Sequence, residues 1–222
     1  MRLLLSLKKA LSFFIFRPFC IECRFFLSKE SFTGLFLCQS CLDSIQPLVS
    51  KQLFIANSAI TVHALGNYLP PLTTLIRSKN TGVRSLTLQL AELMARSDSI
   101  KNLSFDCVAA VPMHWTKKIY RGFNQAEEIA QYISKEKHIP FIKGIVKHKK
   151  TAHQSSLDRM ARSTNLTGAF ALNNGGHSFK GKHVLLIDDV MTTGSTIIEV
   201  ARTIFKAGPA SITVFVGARV ID

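Results

Sequence analysis

Residues 184–196 read VLLIDDVMTTGST: four apolar residues, two adjacent acids, then threonines, a glycine and a serine that open an amphipathic run. The spacing predicts a short buried strand over 184–187, a turn, and a helix over 194–206 that directs Ile197, Val200, Ala201 and Ile204 inward. Gly208 then ends that helix as a C-terminal glycine. Acids at the carboxyl end of a strand lie in the crevice where open α/β sheets bind ligands. Backbone amides of residues 191–196 and the hydroxyls of Thr192, Thr193, Ser195 and Thr196 can surround a phosphate there, because unpaired amides and the helix dipole favour an anion. Gly194 allows close backbone approach, and Asp188 and Asp189 lie where they can accept hydrogen bonds from sugar hydroxyls.

The same alternation runs through the chain from Ala59 onward. Strands are expected over 59–65, 107–111, 141–146 and 211–216. Helices are expected over 71–78, over 85–96 with Leu86, Leu90, Leu93 and Met94 on one face, and over 124–137. Residues 156–165 read as a polar, basic helix or a loop. Successive parallel strands need a crossover and helices supply it, so the expected fold is an α/β domain with a parallel sheet covered by helices on both faces. A chain of 222 residues that is 47% hydrophobic can bury such a core, which excludes a disordered protein. The expected division is 1–58 and 59–222, with four of the five cysteines in the first part.

Cys20, Cys23, Cys38 and Cys41 form C-x2-C-x14-C-x2-C, a spacing that lets four thiolates converge on one tetrahedral zinc. Two disulfides are the competing reading, and paired cysteines without an export signal fit metal better. Four sulfurs leave no open position for water, so the ion would be structural. Cys107, in the apolar run DCVAAV, reads as an inert core residue. Ahead of this module Leu4, Leu7, Leu11 and Phe14 recur at helical spacing around Lys8 and Lys9, which fits either a docking helix or a helix lying on a membrane surface. No small-residue cleavage pattern follows it, so it reads as retained rather than as a secretory signal. No apolar run approaches the ~18–20 residues of a membrane-spanning helix.

Lysine and arginine number 28 against 14 acids, a formal charge of +14 that favours polyanionic partners: nucleic acid, phosphorylated metabolites or anionic lipid. Lys143, Lys147, Lys149, Lys150, Arg159 and Arg162 crowd one stretch that either closes over a ligand, tracks a phosphate backbone or forms a solvated face. Trp115, Tyr120 and Phe123 stand beside Lys117, Lys118 and Arg121, so they either stack on bases or belong to the core.

The segment 184–196 resembles the phosphoribosyl pyrophosphate (PRPP) signature of type I phosphoribosyltransferases at all thirteen positions by residue class. Val111-Pro112-Met113-His114, the run RGFNQA from Arg121 to Ala126, and Gln154, Leu157, Arg162 and Asn165 resemble segments of the ComF family, as do the cysteine pairs. Lys79 and Gly82 resemble that family's lysine-x-x-glycine step, with Asn80 where an aromatic is more usual. The resemblance implies a type I phosphoribosyltransferase-like sheet behind a small zinc module. It implies that Asp188 and Asp189, the candidate catalytic pair, contact ribose hydroxyls while Thr192, Thr193, Gly194, Ser195 and Thr196 with Met191 hold the 5′-phosphate. It implies further that the turn at Val111 to His114, with Pro112 and Met113, holds pyrophosphate; Arg121, Lys117, Lys118 and Lys79 are charge candidates for the same anion. His114 reads as a turn residue.

Two roles stay open on these residues. One is a protein that binds PRPP with Mg²⁺, supports DNA uptake in natural transformation, and handles single-stranded DNA through its zinc module and Lys117, Lys118, Lys147, Lys149, Lys150 and Arg162. Its implied setting is the cytoplasm, at the inner face of the membrane if the N-terminal helix docks on lipid, with DNA-uptake or helicase proteins as partners. The alternative is a transferase turning over Mg-PRPP with an unidentified acceptor, its metal stabilising the departing pyrophosphate.

Overall fold

Residues 18–28, 34–55, 58–78, 84–148 and 167–221 are described by the computed structural model, which divides the chain into two units, Met1–Gln46 and Pro47–Asp222. The expected N-terminal helix, the 156–165 segment, Lys79, Gly82, Lys149, Lys150, Gln154, Leu157, Arg159, Arg162 and Asn165 lie outside the described residues. No helix among the described residues is long and apolar enough to cross a membrane.

In the first unit, Phe19 and Phe26 form an antiparallel bridge across a turn that carries Cys20 and Cys23. The turn is closed by Cys20 N–H donating to Phe25 O at 2.7 Å and Arg24 N–H donating to Cys20 O at 2.9 Å. The second pair opens a five-residue helix, α1 (Gln39–Asp43), with Cys38 as its extended N-cap.

The second unit is built on a five-stranded sheet of β1 (Lys51–Ile55), β2 (Ser58–Asn67), β3 (Cys107–Ala110), β6 (His183–Met191) and β7 (Ser211–Arg219), in the order β1-β2-β7-β6-β3. Only β1 runs antiparallel, hairpinned onto β2; the other pairings are parallel, with Ile187 of β6 opposite Ala110 and Phe215. A separate ribbon pairs β4 (Ile145–Lys147) with β5 (Phe170–Leu172). The helices are α2 (Leu72–Arg77), α3 (Arg84–Arg96), α4 (Asp98–Lys101), α5 (Trp115–Arg121), α6 (Gln125–Lys137) and α7 (Ser195–Phe205).

Both sheet faces are covered, as parallel strands require. On one face α7 buries Ile197, Val200, Ala201 and Ile204 in a cluster with Val62, Val184, Leu186, Val214 and Val216. On the other, α6 lies on β3 and β6, and Gly217 of β7 meets Leu90 of α3 so closely that a Cβ there would come within 3.2 Å.

Three expectations need correction. Lys51–Ile55, inside the expected 1–58 stretch and with no strand expected, is an edge strand of the sheet, its Leu53 and Ile55 buried, and the second unit begins at Pro47. The strand expected over 141–146 makes only an isolated bridge from Phe141 to Val108, and the ladder proper is β4, paired away from the main sheet. Helix α5 was not expected because it buries none of its residues and so shows no apolar periodicity.

Candidate functional site

The segment that most constrains the fold also builds a pocket. Strand β6 buries Val184 to Ile187 and brings its two acids, half-buried, to the carboxyl edge of the sheet. The chain then turns through Thr192 and Thr193 into α7, and Asp188, Val190, Met191, Thr192, Thr193, Gly194, Ser195, Thr196 and Ile197 line one open pocket. Gly194 sits at φ +83°, and a Cβ there would also lie 3.2 Å from both Leu53 Cδ1 and Met191 Cε. Only glycine suits both demands. Thr193 Oγ1 and Ser195 Oγ are 2.9 Å apart, and Ser195 N–H donates to Thr193 Oγ1 at 3.4 Å, which holds the turn at the helix N-terminus. Such a terminus, edged with hydroxyls, is suited to a phosphate dianion.

The two acids point to different places. Asp188 lines the pocket and accepts from Asp189 N–H at 2.9 Å. Asp189 meets the helix layer instead: with the Gln125 amide oriented to satisfy every neighbour, its nitrogen donates to Asp189 Oδ2 at 3.0 Å and to Ile76 O at 3.3 Å, while its oxygen accepts from Thr87 Oγ1 at 3.2 Å. Gln125 and Thr87 are buried, so this bridge from α2, α3 and α6 fixes one carboxylate oxygen in place. Neither residue was singled out from the sequence. Gln125 was visible only as part of RGFNQA, and Thr87 gave no signal among the apolar residues of its helix.

Pro112 and Met113 occupy the loop between β3 and α5, half-buried, beside the end of β6, where Val111 N–H donates to Ile187 O at 2.9 Å. Buried Asn124 pins that loop by donating to Val111 O at 3.0 Å. His114 caps α5, its Nδ1 accepting from Thr116 N–H.

The basic residues separate into two groups. Lys118 pairs with Glu127 at 2.8 Å, and Lys143 pairs with the same carboxylate at 3.0 Å. Burial alone would raise the Glu127 carboxyl, but the hydrogen bonds from these two lysines hold it below its usual range. Lys147 lies over the Phe170 ring, 5.3 Å from its centroid, and is pushed down to about 8 by burial and by Lys117, against the opposing pull of Asp188. Lys117 is lowered in turn by burial and by Arg121. Lys147 and Lys117, expected on a nucleic-acid surface, are both held below the ordinary lysine range.

In the first unit the Sγ atoms of Cys20, Cys23, Cys38 and Cys41 all lie within 4.8 Å of one another, with Cys23 and Cys38 at 3.6 Å. A tetrahedral ion with bonds of ~2.3 Å holds its sulfurs about 3.8 Å apart, so the four fit one metal such as zinc. They are free thiols rather than disulfides. Burial opposes ionisation of Cys20, yet amides of Cys23, Cys38 and Glu22 bring it down to about 6, while burial and the neighbouring sulfurs push Cys41 up. Cys107 is fully buried and raised to about 11 by that burial, an inert core thiol.

The phosphoribosyl transferase domain family matches residues 94–220, a span holding β3, β6, β7 and the whole pocket. The chain is 33% identical over 189 residues to competence protein F of Haemophilus influenzae, covering 82% of this chain and 78% of that one. It is 32% identical over 159 residues to the DNA utilization protein YhgH of Escherichia coli strain K12, covering 68% of each. The similarity to competence protein ComFC of Bacillus subtilis is 28% over 101 residues, 46% of this chain and 39% of that one. A phosphoribosyl transferase domain whose relatives at this level are competence protein F, ComFC and YhgH places the chain in the ComF family.

Proposed function

We propose that this protein binds PRPP in the β6–α7 pocket and supports DNA uptake in natural transformation, handling single-stranded DNA through its basic surface. The observation that carries the reading is the gathering of Asp188 and Met191 to Thr196 around one pocket at a helix N-terminus. There Thr192 to Thr196 hold the 5′-phosphate, Asp188 accepts from a ribose hydroxyl, and the Gln125 bridge keeps Asp189 oriented behind it. Mg²⁺ bound with PRPP would supply charge neutralisation, and Lys147, Lys117 and Arg121 supply further positive charge. Cys20, Cys23, Cys38 and Cys41 would hold zinc, which would add folding energy to the first module.

The relatives' names, competence protein and DNA utilization protein, support the DNA-handling role over the transferase alternative. A charge of +14 suits a polyanion bound with strong salt dependence. The test is calorimetric titration of Mg-PRPP into the wild-type protein, Asp188→Asn and Asp189→Asn. Asp188→Asn should weaken binding at least tenfold with the fold intact, the loss of one charge-assisted hydrogen bond of ~1.5–3 kcal/mol. Asp189→Asn should cost less. Unchanged affinity in Asp188→Asn refutes the site.

A further inference from the structure

Of the three aromatics beside the basic run, Phe123 is buried, whereas Trp115 is 63% exposed and Tyr120 91%. Ile119, between them on α5, is 74% exposed, and no residue of the helix is buried. A seven-residue helix showing an indole, an aliphatic and a phenol to solvent has an apolar face without a covering partner among the described residues.

We propose that the outward face of α5 is the platform on which unpaired bases of single-stranded DNA stack, with Trp115 and Tyr120 as the stacking rings. This rests on the DNA-handling reading above and locates it. Charge selects the occupant. Helix α5 carries Lys117, Lys118 and Arg121 and no acid, and the neighbouring Glu127 is already shared by Lys118 and Lys143. A second copy of the chain docked symmetrically would set these cations against themselves, whereas a phosphate backbone complements them. Duplex DNA offers no free base faces, and a single strand does. The indole is also steadied, its ring 5.7 Å from that of buried His114. Position is consistent with the assignment: α5 follows β3 at the carboxyl edge of the sheet, the edge to which β6 brings Asp188.

Trp115 is the only tryptophan in the chain, so its emission reports on this face directly. The full-length protein is titrated at low salt with a labelled oligothymidylate and with an abasic oligonucleotide of equal length, following label anisotropy and tryptophan emission together. Thymidylate should quench Trp115 in step with binding and the abasic strand should not. Tyr120→Ala should weaken thymidylate binding roughly tenfold while leaving Mg-PRPP binding unchanged, since one base stack is worth ~1–3 kcal/mol. Binding with silent tryptophan and a neutral Tyr120→Ala overturns the platform and leaves DNA handling standing. No anisotropy change with any strand overturns both. A dimer that Ile119→Asp dissociates, with no quenching by DNA, assigns the face to a second copy and also overturns the platform.

Discussion

Among the described residues of the first unit the buried ones are Cys20, Leu27, Leu35 and Leu37, whereas in the second unit every strand of the main sheet contributes buried apolar side chains. The described part of the first unit gathers around four sulfurs and three leucines; the second unit packs in layers. The difference teaches where each can keep its chemistry. Where the core is scarce, the reactive side chains are themselves the core and are committed to structure. Where the core is deep, polar groups can be spared for its edge, as Asp188 and the hydroxyls of the 192–196 turn are.

Removing metal breaks that comparison most sharply. A strong chelator, or Cys38→Ser, should abolish the fold of the first unit outright, because apparent zinc-binding energies of ~10–16 kcal/mol act as folding energy in modules of this size. Amide exchange should lose all protection over residues 18–46 while protection of the sheet and binding of Mg-PRPP persist. Protection surviving in the metal-free first unit would show that its packing suffices without the ion.

Within the second unit the smaller loss should come at Gly194. Gly194→Val places a β-branched residue at φ +83° and drives a Cβ to 3.2 Å from Leu53 and Met191. Strain of ~1–3 kcal/mol is expected, lowering the Tm by several degrees. Mg-PRPP affinity should fall at least tenfold, since the shifted turn carries the phosphate-binding amides. A variant with native affinity would show that the turn is not the phosphate cradle.

Legibility followed the same division. Strand β6, helix α7 and the four-cysteine spacing were plain because apolar runs, a helix-opening turn and paired cysteines are local patterns. Edge strand β1 was missed because five residues with only Leu53 and Ile55 inward offer too short an alternation. The adjacency of the acids was visible, but not their divergence, which depends on Gln125 arriving from 63 residues upstream of Asp188 in sequence and from another layer. Likewise Lys147 read as one more cation in a basic stretch, and only the folded ribbon sets it over the Phe170 ring and buries it.

That lysine supplies the smallest and sharpest of the tests. Burial, then Lys117, hold it down to about 8 from the ordinary 10.5, while Asp188 pulls the other way. Between these two values the unfolded chain binds a proton the folded one has lost, so folding stability rises with pH across that window and the cost of the buried charge is fully present below pH 8. A bound polyphosphate reverses the balance, because its charge restores the proton to Lys147. Mg-PRPP binding above pH 8 should therefore take up a proton, and its affinity at pH 9 should be up to about tenfold weaker than at pH 7. Calorimetry in two buffers of different ionisation enthalpy measures the uptake, and Lys147→Gln should abolish both uptake and slope. If the slope appears in oligonucleotide affinity but not in PRPP affinity, Lys147 serves the DNA surface after all, and the pocket ends at Asp188.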